Sequence, residues 1–286
     1  METEKKSIYG KKVFFVTQNK KFQSAVRKRL LTMEYEVYFI DDYRVVKNLL
    51  AESPDSILFI SPERPLKQVG WRNFIKTVNQ DVYFGETAVG LLLKGYTENM
   101  IIEFTSGMKL EAGIIQIKDD DDESGAAFQS IVKVLDKLNA KGMRQYVRAN
   151  CIGDPKSQVY WLEGSIMHKL NIMDISSVGL ALLLPAKNYA KMANLKSIPD
   201  AKMSIKDKQV SIPLDVYTIK QAGQNYVIVA MFQMGTNKEV LALIRDYVSD
   251  QLLADQYRKI LNRPIDKVDY DALIVSNDND EFEFDS

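Results

Sequence analysis

Histidine and cysteine are nearly missing: in 286 residues the chain has one of each, His168 and Cys151. A single cysteine cannot close an intramolecular disulfide, and the pair offers no cluster from which a zinc site could be built. Net charge is missing too. The 38 Lys and Arg balance 38 Asp and Glu, which argues against a broad polyanion-binding face and against a nucleic-acid polymer as partner, while leaving room for a local basic pocket. Long apolar runs do not occur. Runs such as residues 180–185 fall far short of the roughly 20 residues that span a bilayer, and the opening METEKKSIYGKK lacks a signal peptide's apolar centre. A cytoplasmic chain without membrane insertion is expected. Catalytic motifs are lacking as well: no Walker P-loop, no G-x-G-x-x-G, no G-x-S-x-G and no H-E-x-x-H. His168 has no nucleophile motif to serve, so the chain reads as non-enzymatic, with neither metal nor cofactor.

What is present is a folded composition, 46% apolar and 10% aromatic, long enough for more than one domain. The first 140 residues alternate short apolar runs with helical stripes. Residues 13–16, 37–40, 57–60, 101–104 and 114–117 read as buried strands. Between them Phe22, Val26, Leu30 and Leu31, then Val45, Val46, Leu49 and Leu50, then Trp71, Phe74, Ile75 and Val78 recur at helical spacing. The rhythm predicts a parallel, doubly wound sheet; residues 81–95 do not fit it. Four aspartates at 119–122 and Glu123 precede an amphipathic helix through Phe128, Ile131, Val132, Leu135 and Leu138. The acids complement that helix's N-terminal dipole and lack a metal-ligand set around them. Gly142 is the expected stop.

From about Val159 strands follow one another without helices: residues 159–162, 166–175, 180–184, 209–214, 216–220 and 226–232. Such succession predicts an antiparallel sheet or small barrel. A helix follows, opened by Thr236-Asn237-Lys238-Glu239 in the form of a capping box. The expected division is residues 1–140, residues 141–260, and a flexible acidic tail over 261–286.

The chemistry-bearing segment lies at the junction. RQYVR carries Arg144 and Arg148, and DISSVG carries Asp174, Ser176 and Gly179. Alone, two arginines four apart describe the solvated end of a helix, and DISSVG describes a polar turn. Together, in this order and ahead of an antiparallel β region with a C-terminal helix, they resemble the PilZ family, whose pattern is R-x-x-x-R followed by [D/N]-x-S-x-x-G. All five defining residues match, and the resemblance covers about residues 141–260. It implies a six-stranded barrel that binds cyclic di-GMP (c-di-GMP). Arginine suits that ligand because its planar fork pairs with phosphate, matches guanine O6/N7 and stacks on purines. Asp174 can accept from guanine N–H donors, Ser176 can bond a phosphate or fix the turn, and Gly179 lets the backbone bend and approach the ligand. The resemblance also implies that Met143, just before the first arginine, influences ligand stoichiometry, and that Gln145 belongs to the same ligand-binding stretch.

The N-terminal region resembles response-regulator receiver domains: DSILFI at 55–60 matches the third receiver strand, GWRNFIKTV at 70–78 the helix after it, and Thr105 and Lys118 the closing Thr/Ser and Lys. It departs where receivers carry acids. Thr17-Gln18-Asn19 follows the first strand, and Ile60 or Ser61 stands at the phosphoacceptor position, so the resemblance implies a degenerate, pseudo-receiver interaction domain. The expected whole is an α/β plus β multidomain effector that captures cyclic di-GMP, changes its domain arrangement and acts on an unidentified protein partner in bacterial motility or surface behaviour. The alternative is a PilZ-like scaffold acting through protein contacts without nucleotide.

Overall fold

The structure is a computed structural model that describes residues 8–118 and 125–273. The chain forms two compact units, one of residues 11–26, 38–140 and 260–273, the other of residues 8–10, 27–37 and 141–259. The aspartate run at 119–122, Glu123 and the end of the acidic tail, 274–286, lie outside the described residues.

The first unit is built on a five-stranded sheet in the order β2-β1-β3-β4-β5, an order found in doubly wound sheets. Its strands are β1 (Val13–Val16), β2 (Val37–Ile40), β3 (Ile57–Ile60), β4 (Ala88–Lys94) and β5 (Gly113–Ile117). Every residue of β1 and β3 is buried, as expected where helices cover both faces of a parallel sheet. The pairs β1–β3, β3–β4 and β4–β5 are parallel. Phe15 stacks on Phe39 and Phe59 at 4.9 and 5.2 Å, tying three strands together. The helices are α1 (Lys20–Thr32), which begins in this unit and ends in the other, α2 (Val46–Glu52), α3 (Gln68–Gln80), α4 (Glu98–Thr105) and α5 (Ala126–Lys137).

Three expectations for this unit are corrected. Residues 101–104 belong to α4 and not to a strand; the fourth strand is β4, inside the stretch that broke the rhythm. Thr97 starts α4 by accepting from the Met100 N–H at 3.4 Å, and only one side of the helix is covered, with Phe104 buried and Ile102 69% exposed. A short apolar run does not distinguish strand from helix, and here the cap decides. Thr105 consequently ends a helix, donating to the Ile101 carbonyl at 2.7 Å, and does not follow a strand as a receiver Thr would. The second correction concerns residues 261–273, which pack against this unit. Tyr270 is fully buried, edge-on to Phe74 at 5.3 Å, and Asn73 Nδ2 donates to the Tyr270 and Leu273 carbonyls, each at 2.8 Å. The stop of α5 also differs. The helix ends at Lys137, and Asn139 takes the left-handed turn at φ 53°.

The second unit is an antiparallel sheet of nine strands with a long helix. The strands are β6 (Arg148–Asn150), β7 (Gln158–Glu163), β8 (Ile166–Ser176), β9 (Gly179–Leu184), β10 (Ser197–Ile198), β11 (Lys202–Ile205), β12 (Lys208–Ser211), β13 (Leu214–Ala222) and β14 (Asn225–Phe232). Their order is β10-β13-β14-β9-β8-β7-β11-β12, with β6 beside β8. The six-stranded expectation missed short strands and merged two: residues 209–214 are split at Pro213, which has no N–H to continue the ladder. A short helix, α6 (Tyr189–Met192), precedes β10, and α7 (Lys238–Ile260) follows β14. One buried cluster takes Val159, Trp161, Ile172, Ile175, Leu182 and Ile228 from the sheet and Ile244, Tyr247 and Val248 from α7. Asn237, not Thr236, caps α7: its Oδ1 accepts from the Glu239 N–H at 2.7 Å. No helix of the described residues is long and apolar enough to cross a membrane.

Candidate functional site

The register of two strands assembles the site. β6 pairs with β8 so that Arg148 faces Ser176, Ala149 faces Ile175 and Asn150 faces Asp174. Ala149 and Ile175 are fully buried, and a slip by one residue would drive Arg148 into the core, so the hydrophobic pair fixes the register. Arg148 is thereby held on the exposed side of the pairing, with Nη1 3.7 Å from Asp174 Oδ1 and the two side chains 47% and 39% exposed. An irregularity between Ile172 and Asp174 in the β8–β9 pairing lies directly under the carboxylate; such bulges re-aim a side chain.

Ser176 is buried, 3% exposed. Its Oγ donates to the Gly179 carbonyl at 3.1 Å and accepts from the Val178 N–H at 3.4 Å, so the hydroxyl fixes the turn between β8 and β9. Gly179 departs from its expected role. It is a strand residue paired with Met231, and an added Cβ would lie 2.4 Å from the Ala230 carbonyl oxygen. Glycine is required here by the close approach of β14.

Arg144, Met143 and Gln145 are exposed on the segment ahead of β6. The Arg144 guanidinium lies over the Tyr9 ring, 4.9 Å from its centroid, and its backbone N–H donates to the Ile8 carbonyl at 3.0 Å. Gly142 permits this strand-like approach, since a Cβ there would stand 2.4 Å from the Tyr9 carbonyl carbon. The structure therefore joins Arg148, Asp174, Ser176 and Gly179, and holds Arg144 on an aromatic platform. Tyr9 carried no sequence signal; its partner is 135 positions away along the chain.

A second residue missed by sequence reasoning is Glu34. One carboxylate oxygen accepts from Ser177 Oγ at 2.6 Å and the other from the Val147 N–H at 3.2 Å. Below β6, Tyr247 of α7 bonds Asp154 at 3.0 Å, Cys151 Sγ at 3.5 Å and the Ser157 hydroxyl. Burial pushes the Cys151 thiol up to about 11, so it stays neutral and poorly reactive. His168 stacks on Trp161 at 5.0 Å and bonds Glu163 at 2.9 Å, a strand-surface role.

In the first unit the carboxyl ends of β1, β2 and β3 form a second cluster of polar residues. Thr17 and Ser61 are there, both buried. Asp41, after β2, is bonded by Lys20 Nζ through both oxygens at 2.7 Å and by Gln23 at 3.0 Å. Burial raises the Asp41 carboxyl, but these hydrogen bonds and the Lys20 charge outweigh it and hold the group below the ordinary carboxylate value. Among the described residues, no group of three or more His, Cys, Asp or Glu side chains gathers at one point.

The chain is similar to several solved structures. Among them are MrkH of K. pneumonia in complex with c-di-GMP (15% identity, TM-score 0.36, 42% of this chain and 60% of that one) and the PilZ domain of YcgR from Escherichia coli with c-di-GMP (14%, 0.33, 42% and 98%). A third is the PlzA protein of Borreliella burgdorferi in complex with c-di-GMP (18%, 0.26, 43% and 47%). The chain thus spans about three-fifths of MrkH and about half of PlzA. No family model and no curated relative matches.

Proposed function

We propose that the chain is a non-enzymatic effector whose second unit binds cyclic di-GMP through Arg144, Arg148 and Asp174. The observation that carries this reading is the β6–β8 register, which brings the two halves of R-x-x-x-R and D-x-S-x-x-G to one exposed edge. Among the described residues Arg148 is paired only with Asp174, at a distance too long for a hydrogen bond. Its fork is left for a planar acceptor such as phosphate or a guanine edge. Asp174 offers the complementary acceptor for guanine N–H groups. Met143 and Gln145 flank Arg144 on the same exposed segment and would join this site. Capture by the segment that carries Arg144 would change the domain arrangement, and the output would be a changed protein-binding surface; identical solution scattering with and without ligand would count against that step.

The first unit fits a pseudo-receiver in this reading, supported by the 2-1-3-4-5 strand order, and a degenerate one, with Thr17-Gln18-Asn19 after β1 and Ile60 or Ser61 at the phosphoacceptor position. The test of the central claim is calorimetric titration of the full chain with cyclic di-GMP beside an Arg144→Ala variant. Binding that weakens in the variant supports the reading. No binding by the wild-type chain overturns it in favour of a nucleotide-independent scaffold.

A further inference from the structure

Glu34 occupies a position that ordinarily favours glycine. It follows α1 with φ 61°, and the flanking bonds, Glu34 N–H to the Leu31 carbonyl at 3.2 Å and Tyr35 N–H to the Leu30 carbonyl at 3.1 Å, are those of a Schellman cap. A side chain in this left-handed conformation persists where its surroundings over-determine it. The surroundings here are the two halves of the ligand motif. Val147, whose N–H the carboxylate accepts, lies inside RQYVR; Ser177, whose hydroxyl it accepts, lies inside DISSVG. Arg245 of α7 brings its Nε to 3.5 Å of the same carboxylate, and Glu34 is 15% exposed. Val147 and Ser177 are each one residue from the Arg148–Ser176 pair. No other described side chain accepts a hydrogen bond from both segments.

We propose that Glu34 is a positioning residue of the nucleotide site, a carboxylate that ties the arginine segment to the serine turn and so sets Arg148 against Asp174 before the ligand arrives. The inference rests on the cyclic di-GMP reading above. It explains why a glutamate stands at a cap that glycine would fill without strain. Holding the segment in its binding geometry removes an ordering cost that the ligand would otherwise bear. Glu34 acts through Val147 and Ser177 and does not itself touch the ligand.

The test titrates the full-length wild type, Glu34→Ala, Glu34→Gln and Ser177→Ala with cyclic di-GMP, and follows hydrogen exchange of the Val147 amide without ligand. Glu34→Ala should weaken binding about tenfold or more, because two donors lose a charged acceptor at once. Glu34→Gln keeps an amide oxygen for one donor and should recover most of that loss, to within about threefold of wild type. The Val147 amide should exchange faster in the alanine variant than in the glutamine variant. Ser177→Ala leaves the strained backbone untouched, serves if Glu34→Ala does not fold, and should weaken binding about threefold. A folded Glu34→Ala that binds as tightly as wild type, or more tightly, overturns the inference while leaving the nucleotide reading intact. So does Ser177→Ala with wild-type affinity if the alanine variant at 34 is unfolded. Failure of the wild type to bind removes the reading itself, and this inference with it.

Discussion

At the β6–β8 edge, a guanidinium and a carboxylate face each other at 3.7 Å, each roughly half exposed and without a hydrogen bond between them. At the carboxyl ends of β1–β3, the comparable acid, Asp41, is bonded through both oxygens by Lys20 and again by Gln23. Strand ends of α/β sheets are common ligand sites, yet here that place is internally satisfied, while the edge of the antiparallel sheet keeps donors in reserve. The difference separates a polar group that stabilises its own unit from one whose hydrogen-bonding capacity is left for a partner. It is the physical ground on which ligand binding is proposed for the second unit and not the first.

The largest expected effect breaks the comparison at its stronger end. Arg148→Ala should weaken cyclic di-GMP binding about ten- to a hundredfold, because one charge-assisted hydrogen bond is worth about 1.5–3 kcal/mol. Arg148→Lys should recover little, since an ammonium cannot reproduce the fork. Unchanged affinity in Arg148→Ala by calorimetry would mean that its free donors have no ligand. Next in size is Gly179→Ala. Its Cβ would meet the Ala230 carbonyl at 2.4 Å, a backbone atom that cannot rotate away. Overpacking of this kind costs about 1–3 kcal/mol. The loss should appear in thermal or denaturant unfolding of the free protein, which separates a strand-packing role from direct contact with ligand.

Much of this was legible in the sequence, for identifiable reasons. β1 and β3 are short, fully apolar and buried on both faces, so composition alone marks them. Arg148, Asp174, Ser176 and Gly179 were marked by spacing, and the register brings them together. Residues 101–104 failed because Ile-Ile-Glu-Phe suits a strand as well as a one-sided helix, and the deciding cap at Thr97 is a single weak hydrogen bond. Pro213 divides what pattern alone ran together. Tyr270 was hidden by an acidic neighbourhood that suggested solvent, although its ring packs among Tyr43 and Phe74. Tyr9 and Glu34 could not be read at all. Their roles depend on partners more than a hundred positions away, and neither belongs to a local pattern.

A smaller effect sharpens the comparison within the second unit. Tyr9→Leu removes the aromatic face beneath Arg144 and keeps the backbone bond from Arg144 to Ile8. An exposed cation–π pair is worth about 0.5–1 kcal/mol, so cyclic di-GMP affinity should fall about two- to fivefold. Tyr9→Phe should restore it, because the ring and not the hydroxyl supports the guanidinium. A tighter complex in Tyr9→Leu would show instead that the ring competes with the ligand for Arg144.

The smallest expected effect is none, and it tests the other end of the comparison. Ser61→Asp places a carboxylate after β3, where a receiver would carry its phosphoacceptor. Phosphoryl transfer there also needs a cation, held by oxygen ligands. Thr17 and Gln18 offer no carboxylate after β1, the Glu63 carboxylate is engaged by the Gln18 N–H at 3.2 Å, and the Lys20 ammonium already lies against Asp41. Acetyl phosphate with magnesium should therefore leave both the wild type and Ser61→Asp unphosphorylated by intact mass. Phosphate on the variant alone would mean that one substitution restores the chemistry, and that Lys20 gives way to a metal ion. Phosphate on the wild type would overturn the contrast between the two units, because the first would then have an acceptor and a cation site of its own.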